Sequence, residues 1–285
     1  MIPMVDVRRF AAFGLFPVIL VLSADQGQAQ KLVPVRIERW LQVQQIQGQV
    51  TYQQGATSRP ARVGDRLQAI GDGIITRPKS GTTLLVDTGI GLIDVLENSR
   101  FTIETLGLAS DNGRVTRLRV NQGQVKLRLR AFNHRGSRLD ILTPAGVSAV
   151  RGTEFGLVVH PSGKTALATR SGRVETSAQN TTIMVPAGFQ NFTIPGEPPT
   201  PPVPLRDSTE LRYRLERVIE RGQRTIQIMG QVDPVNIVLV GEAPQSTDRN
   251  GQFAVTVPLL TRPLPLRITV ITPLGRQQVY DLALT

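Results

Sequence analysis

Short apolar runs broken by glycine fill residues 35–194: GQVTYQQG, TTLLVDTGIGLIDVL, RFTIETL, VTRLRVNQGQVKLRLRAF, LDILTP, TEFGLVVHPSGKTALATRSGRVETS and TIMVPAGFQNFTI. Most alternate apolar and polar positions, the signature of strands with one face buried. After them PGEPPTPPVPL opens a proline-rich stretch, 195–206, with few side chains for a core; it predicts an extended linker and a domain boundary. Residues 207–224 predict a helix, with Asp207 as cap, Glu210 three positions on, and Leu211, Leu215, Val218 and Ile219 on one face. From 225 to 285 strand patterns return in TIQIMGQV, VNIVLVG, GQFAVTVPL, LPLRITVIT and RQQVYDLAL, a small second β domain whose DRNGQF segment is a hairpin-type turn.

Residues 143–159, TPAGVSAVRGTEFGLVV, read as one buried strand with charge in its middle. Positions 151 and 154 face opposite sides of a strand, so Arg151 and Glu154 do not form a same-face pair. Gly152 between them marks a bulge or a close backbone approach. One arginine and one glutamate without a nucleophile make no catalytic set, so the expected role of both is local hydrogen bonding.

The amino terminus has a different pattern. Arg8 and Arg9 precede the 13 apolar residues 10–22, and SADQGQA ends in small residues suited to cleavage after Ala29, which predicts an export signal over 1–29. A spanning helix needs about 20 residues. An uncleaved anchor is the alternative.

Composition fits this outline. The chain has 285 residues, enough for about two domains, and 40% hydrophobic content supports a sizeable core. Its 26 glycines and 20 prolines with only 5% aromatics favour many turns between short strands. The absence of cysteine removes thiol nucleophiles, thiolate metal sites and disulfides. The net charge of +11 survives signal removal, because Arg8 and Arg9 offset Asp6 and Asp25. An exported basic protein meets anionic lipids, wall polymers and acidic polysaccharides, and no nucleic-acid motif is present.

Candidate chemistry is sparse. LLVDTGIG places Asp87 as an aspartic protease would, but that reaction needs a second carboxylate, so a turn residue is expected. His134 and His160 lie in polar, turn-like segments and supply neither a triad nor a metal site, and SGKT reads as a hairpin turn; no metal or cofactor is expected. Residues 114–138 hold eight Lys or Arg and no acid. A hairpin at Gln122–Gly123 would set Arg117, Arg119, Lys126 and Arg128 on one face, with Arg130 nearby, as a patch for an anionic partner. Alternatively, carboxylates such as Glu104 or Asp140 approach from neighbouring strands, or the stems lie over apolar surface.

With its flanks VGDRLQAIGDGIITRPKSGTTLLVDTGIGLIDVLENSRFTIE, GKTALATRSGRVETS and VPAGF, the 143–159 segment resembles the FecR domain over residues 43–194. The resemblance implies a β-roll or sandwich domain in which Pro144, Arg151, Gly152, Thr153 and Phe155 are signature residues with a structural role. Residues around Asp233-Pro234 and Asn250-Gly251-x-Phe253 resemble a small bacterial immunoglobulin-like domain. In regulators that the FecR resemblance brings in, the periplasmic FecR domain contacts a TonB-dependent outer-membrane receptor, while a cytoplasmic segment and a membrane helix pass the signal to an extracytoplasmic-function sigma factor. Here only nine residues precede the apolar run, so direct sigma-factor control is not expected. The expectation is therefore an all-β, non-enzymatic protein of the periplasm or cell surface. Its partner would be an envelope protein or an anionic wall or polysaccharide ligand, with peripheral membrane or outer-membrane receptor contact and no nucleic acid. The alternatives are a membrane-anchored signalling regulator and an aspartic-protease-like enzyme using Asp87.

Overall fold

The structure, a computed structural model, describes residues 39–220, 223–258 and 266–283. The export signal expected over 1–29 lies outside the described residues. Glu38 to Thr285 make one compact unit, and its described residues contain strands and no helix.

The first seventeen strands are β1 (Leu41–Gln47), β2 (Val50–Gln54), β3 (Thr57–Pro60), β4 (Arg66–Leu67), β5 (Gly73–Thr76), β6 (Gly81–Val86), β7 (Gly91–Val95), β8 (Arg100–Leu108), β9 (Arg114–Leu129), β10 (Arg138–Thr143), β11 (Gly146–Val150), β12 (Glu154–Val159), β13 (Thr165–Ser171), β14 (Arg173–Ala178), β15 (Thr181–Pro186), β16 (Phe189–Thr193) and β17 (Val203–Pro204). They pair into two layers. One sheet runs β4-β1-β6-β7-β9-β12-β13-β16-β17. The other runs β3-β2-β5-β8-β9-β10-β11-β14-β15, with β10 parallel to β9. The inward side chains of both, Leu84, Ile93, Leu127 and Leu157 from the first and Ile74, Phe101, Leu118 and Ile141 from the second, share one core.

Strand β9 belongs to both sheets. Leu118 and Val120 point inward in the first half, Val125 and Leu127 in the second, so the phase of alternation slips by one between them. Gly123 makes the slip: its φ is +92°, and a Cβ there would overlap Ser99. The hairpin expected at Gln122–Gly123 is thus corrected to one long strand that crosses a corner. A glycine between two amphipathic runs signals either geometry locally, and the partners on both sides decide.

The tail contains β18 (Arg212–Glu220), β19 (Gln223–Gln231), β20 (Ile237–Val240), β21 (Ala243–Gln245), β22 (Gln252–Pro258), β23 (Leu266–Ile271) and β24 (Gln277–Leu282). Sheets β18-β19-β22 and β21-β20-β23-β24 close on a core of Ile226, Ile228, Val238, Phe253, Ile268 and Val270, a small β-sandwich. The helix expected over 207–224 is overturned, since β18 pairs with β19 at nine positions from Arg212↔Gln231 to Glu220↔Gln223. Leu211 reaches the core, but Leu215 and Val218 stay exposed and Ile219 is 74% exposed, so the apolar stripe that suggested a helix has no core to cover. The alternating TIQIMGQ run offers the whole segment a pairing partner instead. Asp207 caps nothing helical; its Oδ1 accepts the Thr272 hydroxyl at 2.5 Å. DRNGQF is a tight turn, with Asp248 Oδ1 accepting from the N–H of Asn250 and Gln252, but it carries the chain between the two tail sheets and is not a hairpin.

The proline-rich stretch lies against the roll. Val203 and Pro204 pair with Gln190 and Phe189, and the Thr200 amide donates to Phe192 O at 2.9 Å. Beyond it the tail stacks on the roll's first sheet. Val158 and Ala166 meet Val235, Ile237, Leu239 and Ile271. Strands β12 and β20 are therefore buried on both faces, which explains the unbroken GLVV and IVLV runs.

Asp87 sits in the turn after β6 with φ of +43°. It is buried, and its carboxylate accepts from Arg39 Nε and Nη2 (3.1 and 2.9 Å), Arg114 Nη1 (3.4 Å) and the Trp40 amide (3.1 Å). Arg39, also buried, spends its other donors on Gly107 O, Val115 O and Thr116 Oγ1. This ion pair ties the start of the first sheet to β8 and β9. Substitution Asp87→Ala leaves a buried guanidinium without its anion and is expected to cost about 3–5 kcal/mol in urea unfolding. Gly156→Val places a side chain where the Pro273 carbonyl lies. It should unseat the tail at a cost of about 1–3 kcal/mol and open 195–206 to a protease that leaves the wild type intact; unchanged stability and digestion would show that this contact does not hold the tail.

Candidate functional site

A single row of side chains crosses the outer face of the first sheet: Gln45, Thr83, Asp94, Lys126, Gly156, Ala168 and Gln190, each directly opposite the next. Opposed residues share a face. The small and buried end of this row is covered by the tail. The loop at Pro273 lies on Gly156, and Gln190 Nε2 donates to both Asp233 carboxylate oxygens at 3.0 and 3.1 Å. Gln124, one step along β9, clamps the same loop by donating to Thr272 O (2.9 Å) and Pro273 O (2.8 Å).

The other end of the row stays open. Gln45, Thr83, Asp94 and Lys126 form the floor of a cleft of about 610 Å³ between the roll and the tail, with Ile237, Leu239 and Ile271 on the tail side. Thr83 Oγ1 donates to Asp94 Oδ1 at 2.8 Å, and Arg128 approaches Asp94 Oδ2 at 3.3 Å. Lys79 and Glu97 stand at its margin, where the Lys79 ammonium pairs with Glu242 at 2.6 Å.

His160 closes the cleft at the β12–β13 turn. It is 1% exposed, in contrast to the polar surroundings expected from sequence, and neither ring nitrogen has a partner. Burial, then the charge of Lys164, push its pKa down to about 3, so the ring is neutral. Lys164 is buried too, its ammonium donating to Pro234 O (3.0 Å), Thr247 Oγ1 (2.6 Å) and Asp248 O (2.9 Å). Burial lowers its pKa to about 8, against the pull of Asp248 and Asp233. Lys164 thus joins roll to tail from the SGKT turn, which does form the hairpin expected of it.

The sequence-predicted cations are dispersed. Arg117 and Arg119 point outward from the second sheet and meet Asp140 (3.3 Å) and Glu104 (2.5 Å). The Arg119 hydrogen bond holds the Glu104 carboxyl below its usual range. Lys126 and Arg128 point outward from the first sheet, beside Asp94, and Arg130 is exposed just past β9. Four of the five are therefore split between two outer faces by the Gly123 corner, and no single basic face forms from them.

Around RGTE the expected single strand is broken between β11 and β12. Arg151 donates through Nη2 to the carbonyls of His134 and Arg135, while Glu154 meets Arg170 at 3.5 Å. Gly152 packs its backbone on Ala131, Thr153 O accepts from the Leu129 amide at 3.0 Å, Phe155 is in the core, and Pro144 occupies the β10–β11 turn. None of these six residues lines the cleft. Sequence reasoning missed Gln45, Thr83 and Asp94, whose adjacency exists only through strand register, and set His160 aside as a polar turn residue; Gly156 alone carried a local hint, as a lone glycine inside an apolar strand. Among the described residues no cluster of three or more His, Cys, Asp or Glu could hold a metal ion.

Residues 72–175 match the family model described as FecR protein, and the chain contains a FecR domain there, spanning β5 into β14. Two crystal structures of a candidate anti-sigma factor from Parabacteroides distasonis are similar at 12% and 13% identity, with TM-scores of 0.39 and 0.38. Each similarity covers 46% of this chain and 59% of the solved chain, less than two thirds of its length. No curated protein matches the chain.

The neutral His160 ring has a pH consequence. Below 6.5 the unfolded chain binds a proton that the folded one refuses until about pH 3, so stability falls as pH drops through that window. The slope is at most about 1.4 kcal/mol per pH unit. Urea unfolding of His160→Leu beside the wild type should show a shallower acid loss; identical profiles would mean that the ring titrates normally.

Proposed function

We propose that the chain is an exported, non-enzymatic FecR-domain protein that binds an envelope ligand or protein partner in the periplasm or at the cell surface, with the roll–tail cleft as its binding site. One observation carries this reading. The FecR sheet and the tail enclose a cleft lined by amides, hydroxyls, paired charges and aliphatic side chains, the mixture of polar and apolar groups that holds a ligand. The protease alternative loses its support at Asp87, whose oxygens are occupied by two arginines and a backbone amide. Export is supported by the basic start, the 13-residue apolar run and the small residues before Gln30.

The FecR match also favours a second reading, a regulator held at the membrane by an uncleaved apolar segment. Intact mass separates the two. Chain recovered from a bacterial envelope should lack residues 1–29, whereas a full-length mass moves the regulator into first place. Binding is tested by a photoreactive amino acid at position 83. It should give adducts with envelope components that are absent when the same group replaces Gln53 on the other sheet; no adduct at position 83 would overturn the cleft as the binding site.

A further inference from the structure

Resting on the reading of the cleft as a binding site, we infer that its ligand is an extended, uncharged stretch of polypeptide with aliphatic side chains. Among the described residues, three of the six buried polar side-chain atoms left without a partner belong to two cleft residues, Asn98 Nδ2 and both ring nitrogens of His160. Buried polar atoms are almost always satisfied, and exceptions in the lining of one cleft call for partners that the protein itself does not supply. A neutral imidazole has one donor and one acceptor, and Asn98 adds a donor. A peptide group presents one carbonyl and one N–H, which is the complementary set.

The remaining lining narrows the class. Ile237, Leu239 and Ile271 give an aliphatic side, and Gln45, Gln47 and Gln277 give amides able to meet a main chain in either sense. On an extended chain alternate side chains face one way, so one set can lie on the aliphatic side while the main chain faces the amides. Charge excludes an anionic polymer: Lys79 and Lys126 in the lining are matched by Asp94 and Glu97, and His160 is neutral. A glycan fits less well, because the lining contains no Phe, Tyr or Trp plane for the C–H face of a sugar ring.

The test pans random linear peptides displayed on phage against the full chain, then measures enriched peptides by fluorescence anisotropy. N-acetylglucosamine oligomers and dextran serve as glycan probes. Enriched peptides should be rich in aliphatic and poor in charged residues, and Thr83→Trp and Gln45→Trp should each weaken binding at least about tenfold. Both side chains point outward, and Gln53→Trp on the other sheet should leave binding unchanged. The assignment is overturned by failure to enrich peptides, by binding insensitive to both cleft variants, by a preference for charged peptides, or by glycan binding that those variants abolish. Position-83 adducts from the envelope without peptide binding would leave the binding site standing and remove only the peptide assignment; absence of both would remove the two together.

Discussion

The carbonyl of Pro273 lies where a side chain at position 156 would begin, and the placement of the tail depends on that contact. Because Gly156 offers bare backbone in the middle of β12, the β23–β24 loop can approach the sheet closely enough for Gln124 to bind two of its carbonyls. The aliphatic faces of β12 and β20 then meet, and the molecule becomes a stack of four sheets. The open floor beside Gly156 is what this seating leaves uncovered. Fold and cleft are thus two results of one steric allowance.

How much of this could be read from the chain differs by scale. Period-two alternation and the glycine and proline punctuation were enough for an all-β architecture, and RGTE with its flanks for a FecR domain, since both are local properties. Strand β18 failed because Leu211, Leu215, Val218 and Ile219 satisfy a helical spacing equally well, and only β19, a separate segment, decides between the two. Strand β9 failed for a related reason: a glycine between amphipathic runs can turn the chain back or shift its phase. The cleft was not legible at all, because Gln45, Thr83, Asp94 and Lys126 come from four strands and are neighbours only through register.

The same logic governs charge. Eight cations within 114–138 look like a surface feature when read in order, yet the fold sends Arg114 toward Asp87, Arg117 and Arg138 toward Asp140, Arg119 toward Glu104 and Arg128 toward Asp94. Most of these pairs are solvent-facing and contribute little stability each. Their effect is to remove the local field that the order of residues suggests, leaving the net charge of +11 spread over the molecule.

The clamp formed by Gln124 joins residues 149 positions apart, and Lys164 reaches 84 positions ahead to Asp248. Contacts of such separation are slow to form, because a long loop must close before they repay its entropy. The cleft therefore cannot exist on a nascent or partly folded chain: its aliphatic side is synthesised more than a hundred residues after most of its floor. The cleft is complete only once the last strands have paired, so a copy truncated before them carries its floor without the opposite wall.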